Sequence, residues 1–219
     1  CAVGAGVLSL FVWDDITDGA PGTLVAGALS HDTFAHLVAL TVLVATALVA
    51  LVTDGTLRGT SSDGPEMYAL MLVAAVGAMV MGAANDLIVL FLGLETLSLA
   101  LYVMAASDRR RTASGEAGLK YFVLGGFASA FLLYGIALLY GAARSTNIGE
   151  IVEYFQTSVP TERNDALVLA GVALLVVGLG FKVAAVPFHV WSPDVYQGAP
   201  SNVTAFMASV GKAGAVAAM

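Results

Sequence analysis

Residues 171–219 read GVALLVVGLGFKVAAVPFHVWSPDVYQGAPSNVTAFMASVGKAGAVAAM, two apolar runs with one lysine each, joined by a segment holding Pro187, Pro193 and Pro200. Lys182 follows an uncharged run of at least 16 residues, and Lys212 stands ten residues into the next run, beside Ser209, Gly211 and Gly214. Both belong inside a lipid bilayer or a protein interior. At the centre of a membrane helix an ionised lysine costs about 2.5–3.5 kcal/mol on insertion scales and more in simulations. Some neighbour must offset that cost.

The rest of the chain has the same character. With 58% hydrophobic and 11% charged residues and a mean hydropathy of +0.87, it has too few polar side chains to cover a water-soluble body. Uncharged apolar runs fall at about 2–13, 34–52, 67–85, 87–107, 117–143, 166–186 and 202–219. Most approach the ~20 residues that cross the hydrocarbon. In lipid only helices and closed barrels satisfy every backbone group, and the ~10-residue alternating strands of a barrel are absent. The fold class is therefore all-α: a polytopic membrane bundle of about seven helices, one of them broken by proline. Residues 1–219 read as one transmembrane domain. The chain starts without methionine inside an apolar run and stops before its last run is full length, so it reads as a fragment of a longer subunit.

Charge supports an orientation. The net charge of −7 comes largely from two connectors, Asp14, Asp15, Asp18 and Asp32 in one, and Glu150, Glu153, Glu162 and Asp165 in the other. Arg109, Arg110 and Arg111 form the densest basic cluster, and the positive-inside rule places their loop in the cytoplasm and the acidic connectors opposite. The single cysteine, Cys1, allows neither an internal disulfide nor a cysteine metal site. Thr53 to Pro65 reads as a polar loop, Asn85-Asp86 as a tight turn between two helices, and 148–155 (IGEIVEYF) as a short interfacial helix. There is no glycine-rich nucleotide loop, HExxH, CxxC or haem-type histidine pair, so no redox or hydrolytic centre and no metal site is expected. Asn202-Val203-Thr204 fits the glycosylation pattern at a helix start and reads as chance.

Five residues are candidates for chemistry. Glu95 lies nine residues into its run, with Ser98 and Tyr102 on nearly the same face at ~100° per residue, a polar stripe that suits a hydrated interior or a structural carboxylate. Lys120, four residues after Glu116, reads equally as an ordinary helix-surface pair or as a proton carrier. Lys182 stands beside Gly171, Gly178 and Ala185, a seven-residue repeat of small side chains that invites a neighbouring helix; the alternative is a lysine snorkelling to the boundary. His189 sits in the proline break, where it reads as a proton relay or as a loop histidine. Lys212 reads as the deepest cation, held by a carboxylate partner. His31 and His36 look interfacial.

Two stretches, 116–151 (EAGLKYFVLGGFASAFLLYGIALLYGAARSTNIGEI) and 178–214 (starting GLGFKVAAVPFHVWSPDVYQGAP), resemble the antiporter-like membrane subunits of proton-pumping NADH:quinone oxidoreductase, respiratory complex I, and within that family the subunit N type. The resemblance implies a fourteen-helix fold with two inverted five-helix repeats, of which the N-terminal helix and the second repeat are absent here. It also implies a proton relay through Glu95, Lys120, Lys182, His189 and Lys212. It further implies no cofactor in this chain, with quinone and NADH used by the complex, other membrane subunits and the lipid bilayer as partners, no nucleic acid, and a bacterial inner membrane. The alternative function is a subunit of a multisubunit cation/proton antiporter or membrane-bound hydrogenase of the same superfamily.

Overall fold

The computed structural model describes residues 1–11, 22–57, 65–157 and 165–219. Asp14, Asp15, Asp18, Glu162, Arg163 and the turn formers at 18–21 lie outside the described residues. Among the described residues five helices are long and apolar enough to cross a membrane: α2 (Thr33–Leu57), α3 (Pro65–Ala83), α4 (Leu87–Ala105), α5 (Thr112–Ala143) and α7 (Asp165–Val183). The first run forms α1 (Ala2–Phe11), which packs on α2, and residues 148–157 form the short α6 (Ile148–Thr157). The last run is segmented. It comprises α8 (Trp191–Gly198), α9 (Ser201–Phe206), a wide π turn over Met207–Gly211, and α10 (Lys212–Ala217). Outward faces are apolar, with Leu119, Phe122, Val123 and Phe127 on α5 all exposed, as a lipid-facing surface requires. The chain is a multi-pass membrane protein.

Helix α4 is the centre of the bundle, burying Leu90, Leu94, Leu97, Leu101 and Met104. Its start is fixed by Asp86, whose Oδ1 accepts the N–H of Ile88 at 2.8 Å and of Val89 at 3.3 Å while its Oδ2 accepts the Thr146 hydroxyl at 2.6 Å. The expected tight turn at Asn85-Asp86 is present, and Ile148 N–H donates to the Asn85 carbonyl at 2.9 Å.

The small-residue seam between α5 and α7 forms at two of its three positions. A β-carbon on Gly178 would lie 2.6 Å from Leu132 Cβ, and one on Gly171 would lie 3.1 Å from the Gly135 carbonyl, so the backbones approach as closely as glycine allows. Ala185 falls beyond the helix end and takes no part.

Three expectations need correction. Thr53–Leu57 continues α2 rather than opening a loop, because Asn202 reaches across to Thr53 Oγ1 at 3.4 Å and anchors that turn. The connector before His31 also holds a strand pair that the sequence reading did not name: β1 (Gly22–Leu24) pairs antiparallel with β2 (Leu29–His31). Their turn carries positive φ at Val25, Ala26 and Gly27, and Gly27 O accepts the side-chain amides of Asn85 (2.8 Å) and Asn147 (3.2 Å). Finally, α7 stops at Val183, three residues earlier than its apolar run, because Ala184 turns into the left-handed region (φ 56°). Pro193, expected to interrupt a helix, instead occupies the first turn of α8, where no backbone N–H is required.

Candidate functional site

The site assembles where α7 breaks. In its last turn Lys182 is 4% exposed and donates to Ser98 Oγ at 2.6 Å and to Tyr121 Oη at 3.4 Å. Its ammonium lies over two aromatic faces, 5.4 Å from the Tyr102 ring centre and 5.1 Å from that of Tyr121. Snorkelling does not describe it. Ser98 donates in turn to the Leu94 carbonyl, so this hydroxyl is fully engaged between the lysine and its own helix.

Glu95 sits one turn before Ser98, near the midpoint of α4, and its Oε1 accepts a hydrogen bond from Ser129 on α5. It makes no direct ion pair with Lys182. Ser129 escaped the sequence reading. A lone serine among Gly125, Ala128 and Leu132 carries no pattern of its own, and its meaning arises only from the helix opposite.

Lys212 approaches from the other side. Its Nζ lies 3.5 Å from the backbone carbonyl of Lys182 and over the rings of Trp191 (5.2 Å) and Tyr196 (5.9 Å). It is half-buried, less deep than Lys182, and among the described residues no carboxylate is within ion-pair distance, so the expected carboxylate partner is replaced by a carbonyl and two π faces. The π turn over Met207–Gly211 delivers this side chain; such turns recur at functional sites.

Trp191 holds the break together. Its indole N–H donates to the Phe181 carbonyl at 2.9 Å, and its ring stacks on Tyr121 with centroids 4.6 Å apart and planes 9° from parallel. Lys182 and Lys212 thus meet at one peptide carbonyl, while Glu95, one turn from Ser98 on α4, bonds to Ser129.

The other two candidates, Lys120 and His189, make none of these contacts. Lys120 makes the expected contact with Glu116 at 2.7 Å and a second one, to Asp194 of α8, at 2.8 Å, with 42% of its side chain exposed. That second contact ties the segment after the break to α5. His189 is exposed and, among the described residues, its side chain has no hydrogen-bond or ion-pair partner. Asn202 is 5% exposed, so its side chain is closed to glycosylation. Among the described residues no group of His, Cys, Asp and Glu could hold a metal ion.

Positions 84–219 match the family described as NADH:quinone oxidoreductase/Mrp antiporter, transmembrane. An NADH-quinone oxidoreductase subunit N of Gemmatimonas aurantiaca is 46% identical over 212 residues, 97% of this chain and 39% of that protein. A chain of respiratory complex I from Thermus thermophilus superposes with a TM-score of 0.81 at 37% identity, covering 99% of this chain and 44% of its own. A chain of an archaeal membrane-bound sulfane sulfur reductase gives 0.79 at 28% identity, covering 97% and 44%. The chain spans about two fifths of the length of the curated relatives it matches. With the match covering residues 84–219 and the fold agreeing over almost the entire length, this chain belongs to the NADH:quinone oxidoreductase/Mrp antiporter transmembrane family.

Proposed function

We propose that the chain is part of a proton-translocating membrane subunit of an NADH:quinone oxidoreductase. In this reading it carries no redox centre; NADH and quinone react in partner subunits, and the chain sits beside other membrane subunits in a bacterial inner membrane with Arg109–Arg111 on the cytoplasmic side. The observation that carries the reading is the burial of Lys182 against Ser98, with Lys212 at the Lys182 carbonyl and Glu95 one turn from Ser98. An ionisable group as deep as Lys182 is costly in an apolar bundle, and such groups mark ion and proton paths.

The chemistry is proton transfer between side chains. Glu95 favours a proton on Lys182 by charge, and Ser98 and Tyr121 hold the ammonium in place. When a signal from quinone reduction draws Glu95 away, the proton leaves Lys182 for a neutral Lys212, whose ammonium then rests against the Lys182 carbonyl and the aromatic faces. Lys120, through Asp194, couples the segment after the break to α5, and His189 offers an exposed proton acceptor at the break. The residues 1–219 serve as one transmembrane unit of the larger fold.

The test is proton translocation by the assembled complex in sealed vesicles. Glu95→Gln and Lys212→Ala should each abolish pumping while the complex still assembles; unchanged pumping with normal assembly would reduce these charges to packing. A second reading, a subunit of a cation/proton antiporter or hydrogenase-type complex, draws on the similarity to the archaeal sulfur reductase chain and on the breadth of the matched family. Co-purification with quinone-reductase subunits, or without them, separates the two.

A further inference from the structure

An open cleft of about 1120 Å³ lies between α3, α4 and α5, at the end of the bundle where the arginine loop joins α4 to α5. Its walls are largely apolar: Leu70 of α3, Val103 of α4, and Leu119 and Phe122 of α5, the last three exposed on the lipid-facing surface. A β-carbon on Gly118 would lie 2.5 Å from Ala106 Cβ, so where these two lining residues touch, α5 closes on the end of α4.

Arg109 and Arg110 border the same cleft. Both are exposed, and among the described residues neither guanidinium has an ion-pair partner. The loop that carries them is nonetheless held in place. Arg110 N–H donates to Asp108 Oδ1 at 3.2 Å, Asp108 N–H donates to Ser114 Oγ at 3.3 Å, and the Ser114 hydroxyl donates to the Ala105 carbonyl at 2.7 Å. Among the described lining residues Glu66 is the one carboxylate against these two arginines, so the lining carries net positive charge.

The arginines follow the apolar span of α4 and precede that of α5, which puts them at the level of the lipid headgroups, with the apolar walls running from there toward the hydrocarbon. A phospholipid has the complementary order, phosphate at the surface and acyl chains below. A guanidinium offers paired N–H donors that match phosphate oxygens, and basic recesses between membrane helices take anionic headgroups. A protein helix in the same place would have to bring acidic side chains of its own to the rim.

We infer that this cleft is a binding site for one anionic phospholipid, its phosphate held by Arg109 and Arg110 and an acyl chain laid against Val103, Leu119 and Phe122. The site depends only on the chain's place in the membrane, so it stands or falls separately from the proton-translocation reading.

The experiment uses the assembled complex in phosphatidylcholine vesicles, titrated with phosphatidylglycerol that carries a diazirine in one acyl chain; irradiation is followed by mapping of the labelled peptides. Label is expected around Val103 and Leu119 to Phe122, displaced by unlabelled phosphatidylglycerol and not by further phosphatidylcholine. Arg109→Gln combined with Arg110→Gln should lower the apparent affinity for the labelled lipid about thirtyfold. Val103→Trp keeps both arginines but fills the apolar wall and should also remove the label, whereas Leu169→Trp, on the exposed face of α7, should not. Unchanged affinity in the double glutamine variant, or equal displacement by phosphatidylcholine, would mean that bulk lipid merely wets this face, and would overturn the site. A cross-link from these segments to a partner subunit in place of lipid would overturn it as well. Should the double variant fail to assemble, the competition in the wild-type complex and Val103→Trp decide.

Discussion

Lys212 directs its ammonium at the backbone carbonyl of Lys182, 3.5 Å away, so the cation of one helix caps the broken end of another. The C-terminal carbonyls of a helix carry partial negative charge, and α7 ends at Val183 inside the protein rather than in water. Trp191 satisfies Phe181 O and Lys212 approaches Lys182 O, which is how a half-buried lysine persists with no carboxylate in reach. The break in α7 and the burial of Lys212 are two sides of one arrangement.

Lys182→Met should separate function from folding. Methionine fills a similar volume without charge, and replacing a buried ion by an apolar side chain is often neutral or stabilising. Ser98 keeps its bond to Leu94 but loses the one from Lys182, and the long contact to Tyr121 Oη goes with it, about 1 kcal/mol each, set against the relief of a buried charge. The expected outcome is near-normal thermal stability with proton translocation abolished, measured on the same preparation.

Ser129→Ala should cost more stability than its size suggests. It removes the hydroxyl that donates to Glu95 and leaves a half-buried carboxylate without that partner, a loss of about 1–3 kcal/mol. Ser129→Thr retains the hydroxyl and should recover most of that loss. Equal thermal midpoints for the alanine and threonine variants would mean that the hydrogen bond contributes nothing.

These two residues show where the chain was readable and where it was not. Apolar runs and helical spacing are local, so the membrane helices, the Asn85-Asp86 turn and the shared face of Glu95, Ser98 and Tyr102 could be read directly. The pairing of Glu95 with Ser129, 34 positions away, depends on which faces of α4 and α5 meet, and the apolar runs do not encode that. The strand pair at 22–31 was hidden because its turn places Val25 and Ala26 at positive φ, where Asn or Gly would have announced it. The π turn before Lys212 has no compositional signal, and its extra residue changes which side of the last run faces Trp191.

Gly178→Val and Gly126→Val should differ sharply although both lie in apolar helices. A β-carbon at 178 would sit 2.6 Å from Leu132 Cβ and 3.2 Å from the Ala128 carbonyl, so α5 and α7 must separate, at about 1–3 kcal/mol or more. Gly126 is exposed with nothing within 4 Å of the same position. Thermal unfolding in detergent should show a lowered midpoint for the first and little change for the second. Similar midpoints would mean that the seam is not a close contact.

Trp191 provides the last test, because it combines a polar and an apolar role in one side chain. Trp191→Phe keeps a ring against Tyr121 and Phe181 but deletes the indole N–H bonded to Phe181 O. That carbonyl still accepts the N–H of Ala184 at 3.0 Å, so the loss is one hydrogen bond of about 0.5–1.5 kcal/mol together with a weakened face toward Lys212. Trp191→Ala also removes the stacking and opens a cavity in the core, at about 3–5 kcal/mol. The expected order of thermal midpoints is wild type, then Trp191→Phe, then Trp191→Ala, with the first gap well under half of the total. If Trp191→Phe matches wild type, the indole bond is dispensable and Ala184 alone caps α7; if it matches Trp191→Ala, the hydrogen bond, and not the stack, holds the break closed.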